Sequence, residues 1–484
     1  MLLTIDIGTS VFKSAVWDFD GNRLAFAAVP LSISLSDGLR HETDSGQWLQ
    51  AFEDCCRSLG AEISLSAVEA VVISGNGPSM TPIFGAPSLE GPQKSAPGFA
   101  AQNWQVPAAP VRLWLDRRAM ESAAQVSALL GGFVDASFYL PKALDIKTNE
   151  LELYSQTKYF LGCSEFLAYA LTGEARTVFP SDGFERWFWD DTALDHFGLD
   201  REKFPRFIRP GETFGGLVPS LAARFGFTAN IPVISGGPDF FAAILGSGVV
   251  QPGQVCDRAG TSEGINVCTV SRITDRRLMS YRHPISQFWN LSGIVSTTGK
   301  AIEWGGSLLG LETFDDFFSL AENAGAGAGG LVFLPYLAGE RAPVWDPSAR
   351  GVLRGLGLST GRPEFARSVL EGICFAICDI ITIMEEAGAV VSELRVAGNA
   401  SGSAILNQIK TDITGKQVLV LRQKEAELLG LAIIGACALG KYTSFSEAAS
   451  ALVQVESRFL PDANTTALYE DLFREYRKMR DNRV

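Results

Sequence analysis

The chain has 484 residues, and at roughly 100–200 residues per domain that predicts two large domains or three smaller ones. It is 46% hydrophobic and 20% charged, the composition of an ordinary globular protein with material for two cores. Its net charge of −13 argues against a non-specific nucleic-acid or anionic-membrane binder, although an acidic chain can still hold a phosphate ligand in a local cradle of backbone N–H groups, a lysine or a metal.

The residues Leu2-Leu3-Thr4-Ile5-Asp6-Ile7 have the composition of a short strand that ends in Gly8-Thr9-Ser10. Asp6 interrupts this first apolar run, unlike the core of a secretion leader. Strand-like runs follow at 12–19 and 24–30, separated by Asp18-Phe19-Asp20-Gly21-Asn22, so the opening reads as an antiparallel meander. Helical spacing of Trp48, Leu49, Phe52, Cys56 and Leu59 predicts a helix over 47–60, and Val68 to Ser74 reads as a buried strand. Strands alternating with helices indicate an α/β chain. Residues 86–110, rich in Pro, Gly, Ala and Ser, read as a surface loop, 117–171 as mostly helical, and 231–235 as another buried strand. The charged, amphipathic tail from Tyr469 to Arg483 reads as a solvated terminal helix.

Eight cysteines without a Cys-x-x-Cys pair, and only three histidines, leave no structural zinc site and predict reduced, buried thiols. The longest apolar stretches, near 373–384 and 428–439, fall short of the roughly 20 residues that span a bilayer, so a cytoplasmic location is expected. No Gly-Lys-Ser/Thr loop occurs, and no Gly-x-Gly-x-x-Gly follows the first strand. Any phosphate binding therefore uses another geometry. Asp6-x-Gly8-Thr9-Ser10-x-x-Lys13 offers one: a glycine turn, two hydroxyls, a cation, and an aspartate suited to Mg²⁺ through water. An ordinary polar β-turn is the alternative. Gly260-Thr261-Ser262 repeats the tripeptide about half a chain later, again between strand-like runs, which fits two related domains with a phosphate chain between them.

Asp239, in Gly236-Gly237-Pro238-Asp239, is the one charged residue between Arg224 and Asp257. A lone carboxylate after a buried strand is either a helix N-cap or a catalytic base, and it can be both. Gly398, Asn399 and Ser403 lie in a small-residue turn between a strand end and a helix, suited to a nucleotide or simply to the turn itself. Trp114-Leu115-Asp116-Arg117-Arg118 gathers an aromatic, an acid and two bases, which suits a polyhydroxyl ligand or an ion-pair cluster at a helix start.

Over essentially its whole length the chain resembles the FGGY carbohydrate kinases of the actin/hexokinase/heat-shock ATPase superfamily. Asp6-x-Gly-Thr-Ser-x-x-Lys13 is similar to the first phosphate loop, Gly236-Gly237-x-Asp239 to the catalytic segment, and Gly260-Thr261-Ser262 to the second phosphate turn. Gly299 with Trp304, and Gly398 through Gly415, resemble the remaining nucleotide-side segments. Gly351-x-Leu353-x-Gly355-Leu356, seven residues, then Glu364-Phe365-x-x-Ser368-Val369-Leu370-Glu371 is similar to the C-terminal signature. It follows Pro335 to Pro343, which resembles the xylulokinase and gluconokinase branches.

The resemblance implies two ribonuclease-H-like (actin-like ATPase) domains, 1–240 on the sugar side and 241–484 on the nucleotide side, facing each other across a catalytic cleft. It implies ATP and Mg²⁺, with Mg²⁺ near Asp6 and Asp239 as general base. Gly8, Thr9, Ser10, Lys13, Gly260, Thr261, Ser262, Gly299, Gly398, Asn399 and Ser403 would then hold the nucleotide, and Asn76, Trp114, Asp116 and Arg118 the acceptor. A homodimer is a further family expectation. Two departures stand out. The position three after Lys142, a Trp in the family, is Asp145, and xylulokinases carry Gln-Met-His-Gly where this chain has Asn76-Gly77-Pro78-Ser79. The missing histidine argues against D-xylulose and leaves a sugar, sugar acid or polyol as acceptor. Glu263, directly after the second phosphate turn, has no evident role. An actin- or chaperone-like ATPase, or a regulatory protein without turnover, is the competing reading; the residues around Asp116 and the intact Asp6, Lys13 and Asp239 weigh against it.

Overall fold

The computed structural model describes residues 1–89 and 104–482, with the side chains of Leu89 and Asn399 outside that set. Two compact units form, Met1–Ala242 with Glu427–Leu452, and Ala243–Ala426 with Val453–Val484.

The first unit is built on strands β1 (Leu2–Ile7), β2 (Val11–Trp17), β3 (Arg23–Pro30), β4 (Ala70–Gly75), β5 (Thr213–Gly216) and β6 (Pro232–Pro238). Their order in the sheet is β5-β6-β4-β1-β2-β3. All six residues of β1 are buried, as a central strand covered on both faces requires. Thr4 is tolerated there because its hydroxyl donates to the Ala15 carbonyl at 3.3 Å and accepts from Trp17 Nε1 at 2.8 Å. Helix α1 (Gly46–Glu62) packs on β2 and β3 through Trp48, Leu49, Phe52, Cys56 and Leu59, the residues whose spacing predicts it. Helices α2 (Tyr139–Asn149) and α3 (Cys163–Thr172) complete the part of this unit that bears on the site, and α4 (Asp239–Gly246) begins in it and continues into the second unit.

Two local expectations change. The helical run expected over 117–171 is broken by a strand, Tyr159–Leu161, paired antiparallel with Thr81–Ile83. Pairing across the chain overrides local helical pattern there. Of the 86–110 loop, Ser88–Leu89 pairs with Trp104–Gln105, and residues 90–103 lie outside the described set.

The second unit carries β7 (Gln254–Ala259), β8 (Glu263–Thr269), β9 (Met279–Arg282), β10 (Trp289–Val295), β11 (Glu393–Gly398), β12 (Gln417–Leu421) and β13 (Val455–Phe459), in the order β9-β10-β8-β7-β11-β12-β13. Its helices include α5 (Gly299–Leu308), α6 (Arg362–Glu386), α7 (Ala404–Thr414) and α8 (Ala463–Asn482). In each sheet an antiparallel meander is followed by two parallel strands: β3-β2-β1 then β4 and β6, and β10-β8-β7 then β11 and β12. The two Gly-Thr-Ser turns occupy equivalent places, joining β1 to β2 and β7 to β8.

Much of the second core forms around α6, buried over most of its circumference. Glu364 opens it by accepting from the Gly361 N–H at 2.9 Å. Glu371 holds it in place, its Oε1 receiving the Gly327 N–H, the Tyr469 hydroxyl and Arg367 Nε at 2.8–2.9 Å. These signature residues thus anchor a helix. The terminal helix α8 is not merely solvated: Tyr469, Tyr476 and Met479 are buried, and Arg480 pairs with the buried Asp379 of α6 at 2.5 Å. Its charged residues mask one apolar stripe that docks on the core.

Candidate active site

In the first unit, strand register collects the candidate groups at one sheet edge. β4 runs parallel to both β1 and β6, with Gly75 opposite Ile7 and Pro238. The Gly8 turn, Asn76 and Asp239 therefore leave the sheet side by side. The Gly8 N–H donates to the Val11 carbonyl at 3.0 Å, and a Cβ on Gly8 would come within 2.7 Å of that oxygen, so only glycine fits. Lys13 stands opposite Asp6 across the β1–β2 pair. Asp6 is buried and accepts from the Ser74 hydroxyl at 2.8 Å. Asp239 begins α4 and its Oδ1 accepts from the Phe240 N–H at 2.7 Å.

The acceptor-side segment is tied to this edge by hydrogen bonds. Asn76 donates to the Ile7 carbonyl at 2.9 Å and accepts from the Ser79 hydroxyl at 2.5 Å; that hydroxyl in turn accepts from the Trp114 N–H at 3.2 Å. Trp114 Nε1 reaches Thr9 Oγ1 at 2.9 Å. Asp116 has no exposed surface and accepts from the His41 N–H at 2.9 Å and from Arg118 Nη2 at 2.6 Å. Burial would raise its carboxyl, but Arg118 and the neighbouring amides outweigh burial and hold it below the usual range. Arg118 also pairs with Glu42 at 2.5 Å. Lys142 is fully enclosed, its ammonium donating to the carbonyls of Pro78, Arg112 and Leu113 at 2.7, 3.2 and 2.8 Å. Asp145 pairs with Arg112 at 2.6 Å, both side chains being buried.

Beside Asp239 a recess opens between Asn76-Gly77 and Gly237-Pro238, walled by Tyr139, Phe188 and Glu165. Tyr139 and Phe188 stack with centroids 5.0 Å apart. Glu165 accepts from the Val178 N–H and the Ser164 hydroxyl, each at 3.0 Å, and burial raises its carboxyl. The Cys163 thiol in the same wall is pushed well up, by burial first and then by Glu165, with Asp6 and Asp239 acting in the same direction. Those three carboxylates therefore bear on one point.

In the second unit, β7 and β11 run parallel with Ala259 opposite Gly398, so the Gly260 and Gly398 turns also share a sheet edge. The Gly260 carbonyl accepts from the Gly299 N–H at 3.0 Å and the Thr261 carbonyl from the Thr298 N–H at 3.2 Å, bringing the start of α5 against the turn. The Gly260 N–H closes the turn on the Ser262 carbonyl at 3.0 Å. A Cβ on Gly299 would lie 2.4 Å from the Gly260 oxygen, and one on Gly398 2.0 Å from the Ala259 oxygen. These glycines permit the close backbone approach that a phosphate cradle needs. Asn399 opens a short 3-10 turn and Ser403 caps α7 by accepting from the Leu406 N–H. Trp304 stacks on Phe333 inside the unit.

Glu263 is explained by a partner that the sequence conceals. Lys410, on α7, reaches Glu263 Oε1 at 2.7 Å and Asp257 Oδ2 at 2.5 Å, all three side chains being buried. Lys410 shares a buried helical face with Leu406, Ile409 and Ile413, and a lysine in that phase is the only signal the sequence carries. Tyr139 and Glu165 are likewise reached only through the fold.

Among the described residues no group of three or more His, Cys, Asp or Glu side chains could cage a metal ion, and no helix is long and apolar enough to cross a membrane. Asp6, buried beside the Gly8 turn, offers a carboxylate of the kind Mg²⁺ takes, since that ion is commonly held by one or two carboxylates together with substrate phosphates.

Residues 1–83 and 99–246 match the N-terminal domain of the FGGY family of carbohydrate kinases, and residues 258–439 its C-terminal domain. The chain is 28% identical to xylulose kinase of Escherichia coli K12, over 99% of this chain and 98% of that protein. It is 26% identical to gluconokinase of Bacillus subtilis 168, over 77% of each. Its fold matches that of gluconate kinase from Lactobacillus acidophilus with a TM-score of 0.84 at 22% identity, covering 99% of this chain and 97% of that one. It matches xylulose kinase from the same organism with a TM-score of 0.83 at 22% identity, covering 100% and 98%. With both of its halves matched and the two-domain actin-like ATPase fold in place, the chain belongs to the FGGY family of carbohydrate kinases and is an ATP-dependent phosphotransferase acting on a sugar hydroxyl.

Proposed function

We propose that this kinase transfers the γ-phosphate of MgATP to a hydroxyl of a neutral sugar or polyol, with Asp239 as the general base. The observation that carries the reading is the register placing Asp239, Asn76 and the Gly8 turn on one sheet edge, with Trp114 bonded to Thr9. Asp239 accepts the proton of the attacking hydroxyl. In the first unit Thr9, Ser10 and Lys13 serve the phosphate to be transferred; in the second, the Gly260–Ser262 turn, Gly299, Gly398, Asn399 and Ser403 serve the nucleotide. The acceptor is carried by residues 1–240 and the nucleotide chiefly by 241–484. Asp6 would hold Mg²⁺, which when bound supplies positive charge against the charge developing on the phosphoryl oxygens. Positioning and electrostatics provide most of the acceleration in such transfers.

Support for a neutral acceptor comes from the recess that Asn76, Gly237 and Pro238 line next to Asp239. Among the described residues, no Lys, Arg or His lines it. The nearby cations are engaged: Lys142 with three carbonyls, Arg118 with Asp116 and Glu42, Arg112 with Asp145 and Glu150. An aldonate carboxylate placed there would lie against the Glu165 carboxyl and near Asp239, which favours a ligand without a charge of its own. Hydroxyl groups against the Tyr139–Phe188 stack meet no such penalty.

A coupled ADP-release assay over ketoses, polyols and aldonates of matched carbon number tests this. Turnover is expected with a neutral member and at least about 10-fold lower kcat/KM with its aldonate, the scale of one uncompensated charge in a partly solvated site. Preference for the aldonate would overturn the neutral class, and ADP release that needs no acceptor would overturn the assigned transfer.

A further inference from the structure

We propose that Lys410 is a positioning residue for the ATP phosphates, acting through Glu263 on the Gly260 turn. The proposal rests on the kinase reading and adds to it a residue that lies outside the phosphate turns.

Glu263 is the first residue after the Gly260–Ser262 turn and the first of β8. A bare carboxylate there would repel the phosphates the turn is built to receive. Lys410 Nζ bridges it to Asp257, at 2.7 and 2.5 Å, with all three side chains at most 3% exposed. The two carboxyls titrate in opposite directions. Asp257 is raised, by burial first and then by Glu263; Glu263 is lowered despite burial, by Lys410 and by its hydrogen bond with Asp257. The Lys410 ammonium thus lies against both carboxyl groups and sets a positive charge directly beside the acid that follows the turn.

The same group fixes the turn mechanically. The Thr298 hydroxyl lies within hydrogen-bond reach of both the Glu263 carboxylate and the Gly260 carbonyl, 3.2 Å from the latter. The Gly260 carbonyl also receives the Gly299 N–H that begins α5. Lys410 sits two turns into α7, the helix that follows the Gly398–Ser403 turn. One ammonium thus joins the hairpin of the second phosphate turn to the helix of the adenosine segment and cancels the acid between them.

The test is steady-state kinetics of the full chain with MgATP and the acceptor varied separately. Lys410→Met is expected to raise KM for ATP at least about 10-fold, as one unbalanced charge near the phosphates should, while KM for the acceptor stays within about 2-fold. Lys410→Gln, which keeps a donor between the two carboxyls, carries the same expectation should the Met variant not fold. Glu263→Gln combined with Lys410→Met removes the acid together with its counter-charge and is expected to bring KM for ATP back to within about 3-fold of the parent. An unchanged KM for ATP in a folded Lys410 variant, or no recovery in the combined one, would overturn the proposal. Absence of ATP-dependent transfer in the parent chain would instead overturn the kinase reading.

Discussion

Trp114 donates its indole N–H to the Thr9 hydroxyl at 2.9 Å, which joins the acceptor-side segment to the first phosphate turn across 105 positions of sequence. Both residues are proposed to touch ligands, so the bond couples the two halves of the reaction within one unit. A Trp114→Phe variant keeps the aromatic face and loses the bond. Its kcat/KM for the acceptor is expected to fall about 5- to 10-fold, the equivalent of roughly 1 kcal/mol. In a double-mutant cycle with Thr9→Val the two effects should be non-additive by a similar amount; strict additivity would show that the bond carries no coupling.

Asp239 starts α4 and accepts from the Phe240 N–H, so a structural and a catalytic role have to be separated experimentally. Asparagine keeps an acceptor for that N–H and cannot take a proton. Asp239→Asn is therefore expected to keep ATP affinity and thermal stability near the parent values while kcat drops at least about 100-fold. Near-normal turnover in that variant would sink the assignment.

His283 gives the second unit an acid-sensitive point. Its Nδ1 accepts from the Ile285 N–H at 3.0 Å, and burial lowers its pKa from 6.5 to about 3. The folded state keeps the ring neutral, whereas the unfolded chain binds a proton below pH 6.5. This contribution to stability is complete above pH 6.5 and is lost progressively as pH falls toward 3, with a slope of up to about 1.4 kcal/mol per pH unit. Chemical denaturation of His283→Gln between pH 7 and pH 4 should show a shallower acid limb than the parent. Parallel limbs would remove His283 as the cause.

The docking of α8 rests in part on Arg480 and Asp379. Arg480→Met leaves the buried Asp379 without its cation and is expected to cost about 3 kcal/mol in urea unfolding. Adding Asp379→Leu should recover most of that loss, because an apolar pair of similar volume removes the stranded charge. A single variant as stable as the parent would mean that the apolar stripe of Tyr469, Tyr476 and Met479 holds the helix unaided.

Short-range pattern carried much of this protein. The β1–β3 meander, α1, the lone Asp239 after its buried strand and the two Gly-Thr-Ser turns are readable because each depends on neighbours a few residues away. The family signature was legible for the same reason, although Glu364 and Glu371 turn out to anchor α6. What the sequence could not place were side chains whose meaning lies in a partner far along the chain. Asp145 is explained by Arg112, Asp379 by Arg480, and Glu263 by Lys410, 147 positions later. A charge buried in a low-dielectric core must find an opposite charge, and folding, not local pattern, determines which one is in reach. The sequence alone therefore determined the α/β class and the family, through motifs that are local in the chain. Only the tertiary structure decided that Glu263 meets Lys410 and that, among the described residues, no Lys, Arg or His lines the recess next to Asp239.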